Sequence, residues 1–331
     1  MLLRIFKGNS PGIIFLIAVT FIAVWISAFI HPSDISASQF DSDPMPLYGL
    51  LVAVVAKSNF FGVVLSFLLA VTLSFLLVNF NTTSFFINER TYLPALFYIL
   101  AGGFFPEYQS LNPALPASLF LMLAIIRIMD GYRKAGIANN FFDAAILIST
   151  GSLFYASLIW FGLLVIIGII LIRTVSISEL SIAVLGLLTP YLITFGIYYV
   201  SGKDIMALLT LIYGNLFMRT EGYFFSTLTI AGLGIGTIII VVSMAYLFTL
   251  LNSKKIKSRK TFSLLIWAFL ISVAVYFILP SVSVEIIWIT AIPGSYFLTH
   301  YFLFVRKKLI PEIFLSILFI LILLIQITYI R

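Results

Sequence analysis

The 331-residue chain has no cysteine. That excludes disulfide bridges, thiolate metal sites and cysteine nucleophiles. Its two histidines, His31 and His300, lie far apart in sequence, which argues against a histidine-built metal centre. Charge is also scarce. Asp, Glu, Lys and Arg make up 9% of the residues, against roughly 25% in an ordinary soluble domain. No Ser-His-Asp set, Walker loop or His-Glu-x-x-His pattern is present, and there is no low-complexity tail or long linker. Apolar residues fill the gap, at 62% of the chain, with a mean hydropathy of +1.18. A compact soluble protein of this length cannot hide that many apolar side chains, so a water-soluble chain is excluded. The sequence reads as an all-α polytopic membrane protein forming one integral membrane domain over 1–331.

A spanning helix needs about 20 apolar residues. Clear runs cover 12–30, 59–80, 180–200, 224–251, 261–279, 282–305 and 309–330. The stretch 93–173 is apolar but broken by Gly102-Gly103, Pro106, Asn112-Pro113, Pro116, the charged run from Asp130 to Lys134, and Ser149-Thr150-Gly151-Ser152. It divides into four short helices, 93–105, 113–129, 141–157 and 158–173. That makes about eleven spans, with the N-terminus inside and the C-terminus outside.

Basic residues concentrate on the cytoplasmic side of membrane proteins. This layout places inside Arg4, Lys7, Arg90, Arg127, Arg133, Lys134, Arg173, Lys254, Lys255, Lys257, Arg259, Lys260, Arg306, Lys307 and Lys308. Only Lys57, Lys203, Arg219 and Arg331 lie outside. Merging 141–173 into one span would put Lys254 to Lys260 outside, against the rule. Two shorter apolar stretches, 46–57 and 204–218, cannot cross singly without the same inversion. They are expected as outer interfacial or re-entrant helices. No cleavable signal-peptide pattern precedes the first span, which should stay as an anchor.

Several features have ordinary explanations. The run Asn252 to Lys260 is an orientation signal that also meets anionic lipid headgroups. No nucleic-acid partner is expected, because no aromatic-interleaved basic domain accompanies it. Gly232, Gly234 and Gly236 sit inside a span and form a packing stripe. Glu89-Arg90 and Asp130 with Arg133-Lys134 read as local ion pairs. Asp143 caps its helix or pairs with a nearby base.

The outer face carries the candidate chemistry. The first outer loop contains Asp34, Asp41 and Asp43 and no basic residue. It is either a solvated acidic loop or a source of carboxylates for base catalysis or metal binding. Asp41 and Asp43 together offer hard oxygen ligands suited to a divalent cation such as Mg²⁺ or Mn²⁺. Lys203-Asp204 and Arg219-Thr220-Glu221 flank the stretch 205–218. These bases either anchor at the headgroups or hold a lipid phosphate, Arg219 supplying a bidentate fork. Glu107 and Glu285 complete the set, Glu285 near a span start where it can face a cavity. The four short helices imply recessed outer turns at 104–112 and 149–153. Irregular backbone at that depth lines a groove or is buried in protein.

This layout resembles the GT-C superfamily of polytopic glycosyltransferases. The likeness rests on Asp41 and Asp43, on the segment 46–57, and on Leu93 to Pro190 with its phrases Leu93-Pro-Ala-Leu-Phe and Gly151-Ser-Leu-Phe-Tyr-Ala-Ser. The chain is also similar to a group of inner-membrane proteins of Bacteroidetes, a likeness that names no activity. It lacks the large outer domain of many GT-C enzymes, and its outer loops are poor in polar and aromatic residues. The resemblance implies a polyprenyl-phosphate-linked sugar donor at the outer face of the bacterial inner membrane. It implies Asp41 or Asp43 as the base for an acceptor hydroxyl, Arg219 and Lys203 on the departing phosphate, and a divalent ion on the aspartates. Two other functions compete: a non-catalytic subunit of an envelope complex with protein partners, and a lipid or solute transporter. The transporter ranks third, because no internal repeat is evident and ionisable residues sit at span ends.

Overall fold

The structure is a computed structural model and describes residues 2–8, 10–32, 43–55, 58–132, 138–172, 177–218, 226–306 and 309–330. Among these residues every regular element is helical, and there is no strand. The α-helices are α1 Leu2–Phe6, α2 Pro11–Ile30, α3 Pro46–Val55, α4 Asn59–Ser84, α5 Leu93–Gly102, α6 Ala114–Asp130 and α7 Ala138–Ser152. They continue with α8 Gly162–Ile172, α9 Ile177–Val200, α10 Ile205–Phe217, α11 Thr227–Leu251, α12 Ile256–Ile278, α13 Ile287–Phe304 and α14 Leu309–Ile330. Short 3-10 turns cover Pro106–Gln109, Ala156–Phe161 and Val284–Ile286.

Seven of the helical segments are long and apolar enough to cross a bilayer, and they coincide with the seven clear runs in the sequence. Their outward faces are apolar. Phe15, Phe75, Leu192, Ile238 and Phe277 all stand exposed, a pattern water would penalise and lipid tails accept. This is a membrane protein. The broken stretch also resolves as expected, into α5, α6, α7 and α8.

The segment Val284–Phe304, essentially α13, is the hub, with 89% of its span window buried against 22% for α9 and for α11. It packs against α5, α6, α11 and α12. Its aromatic side chains interlock with neighbours: Phe302 meets Phe97 at 4.8 Å between ring centroids, and Phe297 meets Phe269 at 5.8 Å. Close approach of backbones needs small residues. A Cβ on Gly102 would lie 2.3 Å from the Trp288 ring, so only glycine lets α5 sit against the start of α13. The glycine stripe of α11 is a packing face as expected: Gly232 and Gly236 both lie against the Phe104 ring, while Gly234 points into open space.

Lipid offers no hydrogen-bond partner, so polar groups within spans must find one inside the protein. Ser27 of α2 donates to Gln326 Oε1 of α14. Gln326 Nε2 donates to the Gly103 carbonyl at 3.0 Å, and Gln109 Nε2 to the Val24 carbonyl at 3.0 Å. These bonds pin α2, α14 and the turn after α5. Pro190 inside α9 removes one backbone donor, and nearby Ser149 Oγ of α7 donates to the Leu187 carbonyl at 2.6 Å.

The bundle has two distinct ends. At one, basic residues gather. The Lys254 ammonium sits over the Phe262 and Phe304 rings at 5.3 and 5.2 Å. Lys7 donates to the Leu303 carbonyl and Lys260 to the Ile172 carbonyl. Arg127 pairs with Asp143 at 3.4 Å, so Asp143 meets a nearby base, as anticipated. Glu89 and Arg90 depart from expectation: they form no ion pair with each other. The loop holding them is fixed through its backbone instead, which leaves both side chains on its outer side. Asp130 is described, but Arg133 and Lys134 lie outside the described residues.

Candidate functional site at the α3–α10 end

The opposite end gathers the breaks in the short helices. Leu47 N of α3 donates to the Leu153 carbonyl at 3.1 Å. Tyr48 OH donates to the Leu111 carbonyl at 3.2 Å. Ser281 Oγ donates to the Leu216 carbonyl of α10 at 2.7 Å. Met45, Tyr48, Val55, Leu111, Leu153 and Ala156 form a small separate core here, with Leu211, Ile212 and Leu216 of α10 packed on it. The short apolar helices α3 and α10 therefore pack over the turns around 111, 153–156 and 279–286. The turns expected from the glycines, prolines and serines do meet at one end.

Asp43 stands exposed at the rim, and its carbonyl accepts from Asn215 Nδ2 of α10 at 2.9 Å. This ties the first loop to the C-terminal turn of α10. Asp34, Asp41 and Arg219 lie outside the described residues. In sequence, Arg219 follows Met218, the C-cap of α10. Lys203 is exposed and rests over the Tyr198 ring at 5.2 Å. Twelve residues of chain, mostly α10, separate it from Asn215, about 18 Å at 1.5 Å per helical residue. Lys203 and Asp43 therefore belong to opposite ends of α10. Asp204 acts locally, since its side chain accepts from Met206 N at 2.8 Å and caps α10.

Glu285 is enclosed, not turned toward an open groove. The residue is fully buried. Oε1 accepts from Tyr155 OH at 2.9 Å and from Ser283 N at 2.9 Å. Oε2 has no hydrogen-bond partner among the described residues. A buried carboxyl oxygen left this way is costly. A proton, or a donor from a bound molecule, relieves it. Neighbouring Tyr108 belongs to the same group. Burial first, and then the Glu285 charge, push its phenol up to about 12. Its carbonyl accepts from Trp288 Nε1 at 3.2 Å and from Asn112 Nδ2 at 2.8 Å. Asn112 Oδ1 in turn accepts from Leu115 N at 3.1 Å, opening α6. Glu107, on the same turn, is exposed.

Sequence reasoning missed Tyr155. It is one of sixteen tyrosines, and only its place in the break between α7 and α8 distinguishes it. Among the described residues no group of three His, Cys, Asp or Glu side chains is arranged to hold a metal. The proposed pair Asp41–Asp43 falls partly outside those residues.

These features define a polytopic helical membrane protein with a covered polar end. The chain belongs to the family described as "Family of unknown function (DUF6427)", which matches residues 44–330. No curated protein and no solved structure matches it.

Proposed function

We propose that the chain is a GT-C-like glycosyltransferase that uses a polyprenyl-phosphate-linked sugar at the outer face of the bacterial inner membrane. The observation that carries this reading is the convergence of the broken-helix turns beneath α3 and α10. It puts an exposed carboxylate, Asp43, at the rim of a buried polar floor built on Tyr108, Tyr155 and Glu285. A lipid-borne donor can approach from the bilayer along α3 and α10, and a polar acceptor from water. Asp43 or Asp41 takes the proton of the acceptor hydroxyl. Arg219 meets the negative charge that grows on the departing polyprenyl phosphate. Lys203, at the far end of α10, serves the headgroup layer. A divalent ion on the aspartates fits their hard oxygen chemistry. The orientation follows from charge: the end opposite α3 and α10 carries Lys254 to Lys260, and such ends face the cytoplasm.

A second reading is a non-catalytic membrane subunit of an envelope assembly complex. The sealing of Glu285 favours it, because the most deeply buried acid of the site then has a structural role.

The test is complementation of a deletion strain with an envelope-glycan defect by Asp41→Asn, Asp43→Asn and Arg219→Ala variants, with protein levels checked. Loss of the glycan at normal protein level supports the enzyme. Full function of all three variants overturns this site and leaves the subunit reading.

A further inference from the structure

The second built feature lies at the basic end, away from the proposed active site, and is the loop between α4 and α5. Its inner side is fixed by buried residues. Asn81 Nδ2 donates to the Glu89 carbonyl at 2.9 Å, and Asn81 Oδ1 accepts from Ile87 N at 3.4 Å. Phe86 and Ile87 are fully buried, and the Phe86 ring packs on Phe262 and Tyr296 at 5.1 Å each. Thr91 Oγ1 accepts from Leu93 N and starts α5. The contact of Phe86 with Phe262, itself under Lys254, places the loop at the basic end.

The outer side of this loop is shaped for something else. Phe85 and Asn88 both adopt the left-handed conformation, with φ of 51° and 66°. Phe85 is the C-cap of α4, a common place for the left-handed conformation, and its N–H donates to the Asn81 carbonyl at 2.8 Å. Beside this turn lies an open surface pocket of about 490 Å³ lined by Thr82, Phe85, Asn88, Glu89 and Arg90. Being open, it can take a headgroup without enclosing it. Glu89 and Arg90 bring one negative and one positive group to it, and neither has an ion-pair partner among the described residues. The pocket opens where α4, a 26-residue apolar helix, ends, which is the level of lipid headgroups.

We propose that this pocket binds a phosphoethanolamine group, presented as the headgroup of a membrane lipid. Arg90 offers a planar fork to the phosphate oxygens. Glu89 accepts from the primary ammonium, and the Asn88 and Thr82 side chains complete the polar wall. The clamp by Asn81 holds these groups in place before the ligand arrives, which lowers the ordering cost of binding. A trimethylammonium headgroup has no N–H to give Glu89, so the pocket should distinguish phosphatidylethanolamine from phosphatidylcholine.

The experiment is native mass spectrometry of the purified full-length protein with phosphatidylethanolamine and phosphatidylcholine of identical acyl chains added in equal amounts. We expect roughly tenfold preferential retention of phosphatidylethanolamine, about what one charge-assisted hydrogen bond supplies. Glu89→Gln, which keeps an acceptor oxygen but removes the charge, should reduce the preference while both lipids still bind, and Arg90→Gln should weaken retention of both. Thr249→Ala, exposed and outside the pocket, should change neither, and thermal unfolding should show all variants folded. Soluble phosphoethanolamine is titrated separately by calorimetry. Heat of binding there would assign the site to the free molecule too, whereas retention of the lipid alone assigns it to the bilayer. Equal retention of the two lipids by the wild type, or a preference unchanged by Glu89→Gln, overturns the proposal.

Discussion

Gly102→Ala isolates the packing of the hub helix in one methyl group. The added Cβ would meet the Trp288 ring at 2.3, 2.5 and 3.2 Å from three of its carbons. Trp288 has little room to retreat. Its Nε1 donates to the Tyr108 carbonyl, and its own carbonyl accepts from Tyr98 OH at 3.3 Å. The Trp25 and Tyr98 rings flank it at 5.7 and 5.9 Å. Overpacking of this kind costs about 1–3 kcal/mol. Working the other way, alanine is favoured over glycine by up to about 1 kcal/mol inside a helix. Gly102 is the last residue of α5, so that gain is small and the clash prevails. The assay is thermal unfolding of the detergent-purified protein, with Trp288→Phe and the double variant alongside. Phenylalanine lacks the distal indole carbons that the new methyl would strike. Gly102→Ala should therefore be destabilising alone and much less so on the Trp288→Phe background, a coupling of about 1 kcal/mol or more. Unchanged stability of Gly102→Ala, or simple additivity in the double variant, would refute the close approach of α5 and α13.

Three further outcomes rest on particular contacts. Tyr155→Phe removes one of the two donors to Glu285 Oε1 and should cost about 1–3 kcal/mol, whereas Tyr213→Phe on exposed α10 should be neutral in the same melt. Burial lowers the pKa of Lys254, so its proton is held more weakly folded than unfolded. Stability should then rise with pH as it climbs through the lowered pKa toward the usual lysine value; Lys254→Met should lose that rise, and an identical pH profile would show that the ammonium is solvated. Because the chain lacks cysteine, a single introduced one reports alone: at position 203 it should react with an impermeant maleimide in intact cells, and at 257 only after permeabilisation. The reverse pattern would invert the topology.

How much of this was readable from sequence depends on whether a residue acts locally. The seven long helices announce themselves because each apolar run is its own signal, and the breaks at Gly102-Gly103, Asn112-Pro113 and Ser149 to Ser152 mark real ends of α5 and α7 and the start of α6. Asp204 as a cap is likewise local, whereas Asp143 finds its base, Arg127, on the preceding helix. Pairings between distant segments were not readable. Gln326, a lone amide in an apolar run, signals that it needs a partner, but not that Ser27 and Gly103 supply it. Glu285 looked like a cavity residue because span-start acids often are; its enclosure depends on Tyr155, 130 residues away. Lys203 and Arg219 appeared as one phosphate site because they flank a short stretch. The structure sets Lys203 about 18 Å along α10 from the Asp43 contact, and Arg219 lies outside the described residues.

The central claim is that the α3–α10 end holds a polyprenyl-linked donor, and crosslinking tests it most directly. A photoreactive residue is placed at Leu51 of α3 or Ile212 of α10, both partly buried around the small core, with Phe248 on the exposed face of α11 as the control. After irradiation in living cells, the protein is purified and its lipid adducts are identified by mass. The account predicts polyprenyl-phosphate adducts at positions 51 and 212 and ordinary phospholipid adducts at 248. Phospholipid alone at all three positions would contradict it.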